Sequence, residues 1–416
     1  MALRLPNSSF LVDCGEGTSV QMGEAGINMA TIRKIFVTHM HGDHVFGLPG
    51  VLRAVSAARR GTPLAEEPVC VFGPPGIHQL LYTALYATAS PLSMPLAVME
   101  YVLDEAHSRP AHQVTGLGKV RFAHLAPDPD SQPRSPNGRP RNMHQVPVVP
   151  GLKWTIRCED GLTVTAAQLQ HRVPCWGYVM KEADQPSQIN VALVKELGGS
   201  PEALVQYVRA RARSITLDTP IQTAKGPVEL GMLLTPGIPG RKIVLLGDTC
   251  NSAAVAELAQ GADLVSHEAT FARGMEEKAH IAQHSTADMA GAFARCINAR
   301  DLVLTHFSAR YTPTRKEQHG GRGTFADDSD AATADGSSDI NSLIWQAQQA
   351  FGRPNVQAAA DFSTFVVPQH ETQLCLPGAA AGRPQPSGAR TMRSPRMARG
   401  VPVLAGIEEQ PGLRER

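Results

Sequence analysis

One run of residues, Thr38-His39-Met40-His41-Gly42-Asp43-His44, constrains this chain more than any other feature. It places three imidazoles and a carboxylate within positions 39–44, directly after the apolar run Ile35-Phe36-Val37. A lone histidine is ordinarily a satisfied core or surface residue, but this density of metal-capable donors has no packing explanation. His39 and His41 alternate, so on an extended segment they point to one side. Gly42 opens a turn on which Asp43 and His44 follow. One loop of this kind can supply ligands to two neighbouring ions.

The same arrangement, a buried apolar run ending on a metal-capable side chain, recurs downstream. Leu162 to Leu169 leads to His171, Ile243 to Leu246 leads to Asp248, and Leu302-Val303-Leu304 leads to His306. Short β-branched runs of this type read as buried strands, and ligands at strand ends are held by a rigid scaffold. Helices are expected over Gly47 to Arg59, Pro75 to Ala87 and Ser285 to Ala299, the last with Ser285 as N-cap and Asp288 three residues on. Strands alternating with helices predict layered sheets flanked by helices.

The 416 residues carry a formal net charge of only +1, so any nucleic-acid partner would have to be held by a local basic patch. Seven cysteines without C-x-x-C spacing read as reduced thiols, which predicts an intracellular protein rather than a disulfide frame or a cysteine zinc site. No apolar run approaches the ~20 residues that cross a bilayer, and Met1 to Phe10 show no signal-peptide core. A soluble protein of the cytosol or nucleus is expected. By composition, residues 127–150 read as a Pro- and Arg-rich surface insertion, residues 312–338 as a disordered insertion, and residues 370–416 as a disordered tail.

The H-x-H-x-D-H motif after a strand resembles the signature of the metallo-β-lactamase superfamily. That resemblance implies an α/β fold, the αββα sandwich, with a di-metal site at the sheet edge. It implies that His39, His41 and His171 hold one metal, that Asp43, His44 and His306 hold the second, and that Asp248 bridges them. The nitrogen and oxygen donors suit two Zn²⁺ per chain, with Mn²⁺ or Fe²⁺ also compatible. Two such ions ~3.5–4 Å apart can clamp a phosphate and supply an acidic water, which Asp43 is placed to orient or deprotonate.

Three further blocks narrow the substrate: His267-Glu268-Ala269-Thr270-Phe271 after the expected strand Asp263 to Ser266, His284-Ser285-Thr286, and Thr305-His306-Phe307-Ser308-Ala309-Arg310-Tyr311. Together they resemble ribonuclease Z, the tRNA 3′-processing endonucleases, in the short eukaryotic-type form. Similarity is best over Leu11 to Pro49, His171 to Lys181 and Arg241 to Tyr311. The resemblance implies a zinc-dependent endoribonuclease that cleaves precursor tRNA, and a homodimer. The leaving ribose 3′-oxygen needs a general acid; the family assigns that role to His284, oriented by Glu268, whereas His267 reads as structural. A catalytic domain over residues 1–311 is completed by a helix and strand over residues 339–369, where Val356 to Pro368 resembles the family's last strand.

Residues 181–227 fall where relatives carry a protruding arm that grips tRNA. Arg209, Arg211 and Arg213, with Lys195 nearby, could contact phosphates there or form a solvated edge. The Gly-Pro signature of that arm is not evident. Relatives also begin with an extra strand and a basic P-x-K-x-R-N loop, whereas the Asp13 to Thr18 segment stands close to Met1, so both are expected to be missing. Two other readings remain at this point: a superfamily hydrolase of a small ester or phosphodiester, or a truncated, inactive RNA-binding homologue.

Overall fold

The β-branched and aromatic runs become two seven-stranded sheets in the computed structural model. It describes residues 1–102, 112–113, 118–131, 151–158, 161–198, 200, 221–228, 230–311 and 339–370, all within the compact unit Met1–Thr372. The first sheet is built from β1 (Ala2–Arg4), β2 (Ser9–Val12), β3 (Ile32–Phe36), β4 (Val69–Gly73), β5 (Leu92–Tyr101), β6 (His112–Gln113) and β7 (Gly118–Leu125). Its spatial order is β1-β2-β3-β4-β5-β7-β6, with parallel pairing from β2 through β7 and antiparallel pairing at both edges. A short strand, β1, pairs with β2 ahead of the Asp13 segment, and Leu5 to Ser8 connects them.

The second sheet begins with β8 (Lys153–Arg157), β9 (Leu162–Leu169) and β10 (Cys175–Glu182). The chain then makes an excursion, of which β11 (Gln188–Ile189), β12 (Ile221–Thr223), β13 (Gly226–Val228) and β14 (Leu234–Thr235) are described. It returns as β15 (Lys242–Leu245), β16 (Leu264–Glu268), β17 (Asp301–Thr305) and β18 (Val356–Ala358), in the order β18-β17-β16-β15-β10-β9-β8. Lys181 belongs to β10, and the ribbon β11–β14 closes beyond residue 227. Arg209, Arg211 and Arg213 lie outside the described residues, as do residues 132–150, 312–338 and 371–416.

Alternation along each strand sorts the side chains into layers. Phe10, Val12, Phe36 and Phe72 of the first sheet meet Trp154, Trp176, Tyr178 and Met180 of the second in one apolar layer. Trp154 and Trp176 are fully buried there with ring centroids 5.9 Å apart, and truncating either costs ~3–5 kcal/mol. The opposite face of the first sheet packs on helices α1 (Leu48–Arg59) and α2 (Ile77–Ala87), through Val51, Leu52, Val55, Leu81 and Leu85. The outer face of the second packs on α5 (Ala287–Cys296) and α6 (Ile340–Phe351). The shorter helices between them include α3 (Val191–Glu196) and α4 (Glu276–Ala282). This is the αββα sandwich.

Several local expectations need correction. Thr286, not Ser285, caps α5: its side chain accepts from the Met289 amide, while Ser285 Oγ is drawn away to donate to the Thr249 carbonyl. His267 and Glu268 close β16 rather than follow it, because the strand runs on alongside β17 as far as Thr305. The last strand is only Val356–Ala358; the chain leaves the sheet before Asp361. Asp43 and His44 sit in a short helix, Gly42–Val45, rather than an open turn.

Candidate metal centre

The candidate ligands come from the carboxyl ends of strands, from the turns that follow or, for Asp43 and His44, from the short helix Gly42–Val45. His39 and His41 follow β3, His171 follows β9, Asp248 follows β15 and His306 follows β17. The two sheets approach closely at this edge because position 247 is glycine. A Cβ on Gly247 would stand 2.6 Å from Thr38 Cβ and 2.8 Å from Cys175 Sγ, so a side chain would force the sheets apart. His306 itself takes a left-handed backbone (φ 55°), a conformation that costs energy in a non-glycine residue and concentrates at functional sites.

One ligand atom each from His39, His41, His171 and Asp248 forms a first group, and one each from Asp43, His44 and His306 a second, with the atoms of each group within 4.8 Å of one another. In the first, His41 Nδ1 lies 2.9 Å from His39 Nε2 and 3.4 Å from His171 Nε2. In the second, His44 Nε2 lies 3.4 Å from Asp43 Oδ2, and His306 Nε2 lies 3.8 Å from it. Asp248 stands between the groups: Oδ2 is 3.7 Å from His39 Nε2 and 3.3 Å from His306 Nε2, and Oδ1 is 3.7 Å from His44 Nε2. The side chain of Asp248 is buried, and that burial pushes its carboxyl above the usual range.

The far nitrogens of the rings decide which way the lone pairs point. Thr38 Oγ1 donates its single proton to Asp13 Oδ2 (2.9 Å), so it accepts from His39 Nδ1 (3.0 Å). His171 Nδ1 donates to the Gln283 carbonyl (2.7 Å), and His44 Nδ1 donates to Asp13 Oδ2 (2.8 Å). His39 and His171 therefore turn an unprotonated Nε2 inward, as metal-ligating histidines do, and His44 does so once its Nε2 proton is lost. His41 Nδ1 meets the inward Nε2 atoms of His39 and His171 at 2.9 and 3.4 Å, and bonds of ~2.0–2.1 Å to one tetrahedral ion put ligand atoms at about such spacing. The donor set fits a divalent transition metal.

Electrostatics agree for most of the rings. Burial first, and the neighbouring imidazoles second, hold His39 far below its usual pKa. Burial likewise brings His171 down to about 4, despite the Gln283 carbonyl. Both rings are neutral, the form that ligates. His44 differs: burial opposes its charge, but the hydrogen bond and charge of Asp13, with Asp248 and Asp43, outweigh burial and push it up to about 9. Metal must displace that proton.

Beside the two groups lies a buried carboxylate with four donors. Glu268 Oε1 accepts from His284 Nδ1 (3.0 Å) and the Thr249 amide (2.6 Å), and Oε2 accepts from Thr270 Oγ1 (2.5 Å) and the Ser285 amide (3.0 Å). Burial alone would raise its pKa; the hydrogen bonds and the charge of His284 bring it below the usual range instead. Burial would lower His284, but Glu268 prevails and raises it. The His284 ring stacks on His306, with centroids 5.1 Å apart, and its Nδ1 is 3.9 Å from Asp248 Oδ2. His267 faces away, bound to Ser252 Oγ (2.7 Å) and the Glu268 carbonyl (2.8 Å).

Besides Thr38 and Gln283, two more residues had no assigned role in the sequence. Asp13 accepts from the Thr38 amide, the Thr38 hydroxyl and His44, and so sets the loop and two of its rings. Thr270 Oγ1 lies 2.8 Å from His306 Nδ1 while donating to Glu268. Their only signal was membership of the Asp13 to Thr18 and His267 to Phe271 blocks. Lys195 lies in the last turn of α3, and among the described residues no hydrogen bond or ion pair links its side chain to the centre.

A sequence-family model described as "Anti-Pycsar protein Apyc1" matches residues 1–60. Much longer similarities are found among characterised proteins. The chain is 31% identical over 371 residues to the zinc phosphodiesterase ELAC protein 1 of Mus musculus, covering 88% of this chain and 93% of that one. It is 30% identical over 378 residues to the ribonuclease Z of a Synechococcus strain, covering 90% and 93%. The crystal structure of human tRNase Z, short form, shares the fold with a TM-score of 0.51 and 23% identity over 88% of this chain and 91% of that one. On the strength of these near full-length similarities, the chain belongs to the ribonuclease Z family, with ELAC protein 1 among its relatives.

Proposed function

We propose that this chain is a zinc-dependent endoribonuclease that removes 3′ trailers from precursor tRNA, leaving a 3′-hydroxyl on the tRNA and a 5′-phosphate on the trailer. The observation that carries this reading is His284, held at Nδ1 by Glu268 and placed beside Asp248. A thioester releases a thiolate and needs no proton donor, but a ribose 3′-oxygen is very basic and does. An imidazole engaged at Nδ1 by a carboxylate has Nε2 as the atom that delivers the proton. A non-catalytic homologue would have no reason to keep that donor beside a complete ligand set.

Two zinc ions per chain are part of the proposal, with His39, His41 and His171 holding one, Asp43, His44 and His306 the other, and Asp248 bridging. Bound there, zinc supplies Lewis acidity at the phosphate and a water acidic enough to attack at neutral pH. Asp43, whose side chain is largely exposed, orients that water or takes its proton. Asp13, Thr38, Gln283 and Thr270 hold the imidazoles in ligating orientation.

The excursion after β10, with Lys195 and Arg209, Arg211 and Arg213, is proposed to take the tRNA body. A homodimer and a cytosolic or nuclear setting rest on family resemblance and thiol usage. No helix among the described residues is long and apolar enough to cross a membrane.

The test is incubation of purified protein with a 3′-extended precursor tRNA and mapping of both product ends. A trailer with a 5′-phosphate is expected, and Asp43→Ala should abolish cleavage while tRNA binding persists. Cleavage of a thioester with the precursor left intact would overturn the reading.

A further inference from the structure

Away from the centre, a second group of metal-capable side chains lies on the outer face of the first sheet. His78 is in the first turn of α2, Glu100 near the end of β5 and His124 near the end of β7. One ligand atom from each lies within 4.8 Å of the others. The parallel register of β5 and β7 sets Glu100 directly opposite His124. Both share the face of Val98 and Phe122, which packs under α2, so the helix brings His78 down onto them.

The orientation of His78 is the informative part. Its Nε2 lies 3.1 Å from the Val98 carbonyl, which can only accept, so this nitrogen carries the proton. Nδ1 lies 3.7 Å from Glu100 Oε2, and the ring also meets the Ala123 carbonyl. The gap to Glu100 is too long for a hydrogen bond. Glu100 Oε2 accepts from the Gly76 amide (3.0 Å) and the His78 amide (3.3 Å), so the carboxylate is locked in place. In the neutral ring with Nε2 protonated, Nδ1 presents a lone pair to this fixed carboxylate, an approach that a bound cation would relieve. The separation is slightly wider than that of two ligands at ~2.0–2.2 Å from one tetrahedral ion.

A backbone carbonyl on the far nitrogen is also how His171 is held in the main centre. The ring centroids of His78 and His124 are 5.1 Å apart, the same spacing as His41 and His171.

We propose that His78, Glu100 and His124 bind one further divalent transition ion, separate from the two of the main centre. Two nitrogens and one oxygen suit Zn²⁺ or Co²⁺ over Mg²⁺ or Ca²⁺. Three protein ligands leave a fourth position to water. The ion ties the first turn of α2 to β5 and β7. The turn before that helix borders the ligand loop: a Cβ on Gly76 would lie 4.0 Å from Cε of Met40, the residue between His39 and His41. The site is thus a structural tie behind the loop that carries the first two ligands.

Metal-free full-length protein is titrated with Co²⁺, and with Zn²⁺ against a chromophoric chelator. Wild type should bind one ion more than His124→Gln or Glu100→Gln, with the weakened ion losing at least ~100-fold in affinity. Glu100→Gln keeps an acceptor for the Gly76 and His78 amides, so a loss there reports ligation rather than helix capping. Asp248→Ala should retain this ion, and its binding should still raise the melting temperature of that variant. The proposal is overturned if both glutamine variants keep the wild-type metal count, or if Asp248→Ala binds no metal at all. A count lowered by His124→Gln and untouched by Asp248→Ala would instead sink the main-centre assignment and leave this site standing.

Discussion

Glu268 holds His284 directly and His306 at one remove. Its Oε1 is 3.0 Å from His284 Nδ1, and its Oε2 accepts from Thr270 Oγ1, which lies 2.8 Å from His306 Nδ1. One buried carboxylate thus orients the proposed proton donor and a proposed metal ligand, whose rings stack on each other. Loss of Glu268 should therefore disturb both functions, whereas His284 and Thr270 separate them.

His284→Ala should lose ~10²–10⁴-fold on precursor tRNA, the range of general acid catalysis. It should lose far less on a nitrophenyl phosphodiester, whose leaving group needs no proton. Glu268→Gln should lose less on precursor tRNA but, because Glu268 also supports His306 through Thr270, should slow the nitrophenyl ester too; the double variant should not be additive, because the residues act as a unit. Equal slowing of both substrates by His284→Ala, at unchanged zinc content, would remove the proton-donor role.

Thr270→Val keeps the side-chain shape but deletes the hydroxyl between Glu268 and His306. Zinc affinity at the site holding His306 should fall ~10–100-fold, the usual cost of losing a partner that orients a ligand. Competition with a chelator measures this. Affinity equal to wild type would mean that the backbone of His306, not Thr270, sets the ring.

Neutralising Arg209, Arg211 and Arg213 together should weaken precursor binding and flatten its salt dependence, by about one unit of slope per lost phosphate contact. Hydrolysis of a nitrophenyl phosphodiester should survive. A salt slope identical to wild type would return these arginines to a solvated edge.

Glu182 and Arg241 close the base of the same excursion. Arg241 Nε donates to Glu182 Oε2 (2.7 Å) and Nη2 to Oε1 (2.5 Å). The hydrogen bonds from Arg241 hold Glu182 below the usual carboxylate range, against a smaller opposing effect of burial. A carboxylate depressed in the fold stabilises above its unfolded value of ~4.3 and loses that contribution as pH falls through the lower folded value. Glu182→Gln should cost ~0.2–1 kcal/mol at neutral pH. The gap from wild type should close below pH ~4 in denaturant melts of chelated protein. A gap that persists unchanged to pH 3 would contradict the pairing.

The amino-acid sequence by itself determined the candidate ligand loop, the strand ends that carry His171, Asp248 and His306, and the layered sandwich. These are local: a buried strand shows as an apolar run, and a metal-capable residue at its end stands out against it. The partnership of Glu268 with His284 was legible only through motif resemblance. Tertiary structure alone decided the rest. Asp13 reaches His44 across 31 positions, and Gln283 reaches His171 across 112; one acts through a carboxylate that looks ordinary in sequence, the other through a backbone carbonyl that has no sequence signature. His78, Glu100 and His124 are each unremarkable alone and meet only because β5 and β7 pair in register beneath α2. Ring orientation, and with it the direction of every inward lone pair, depends on these distant hydrogen bonds, which periodicity and spacing do not encode.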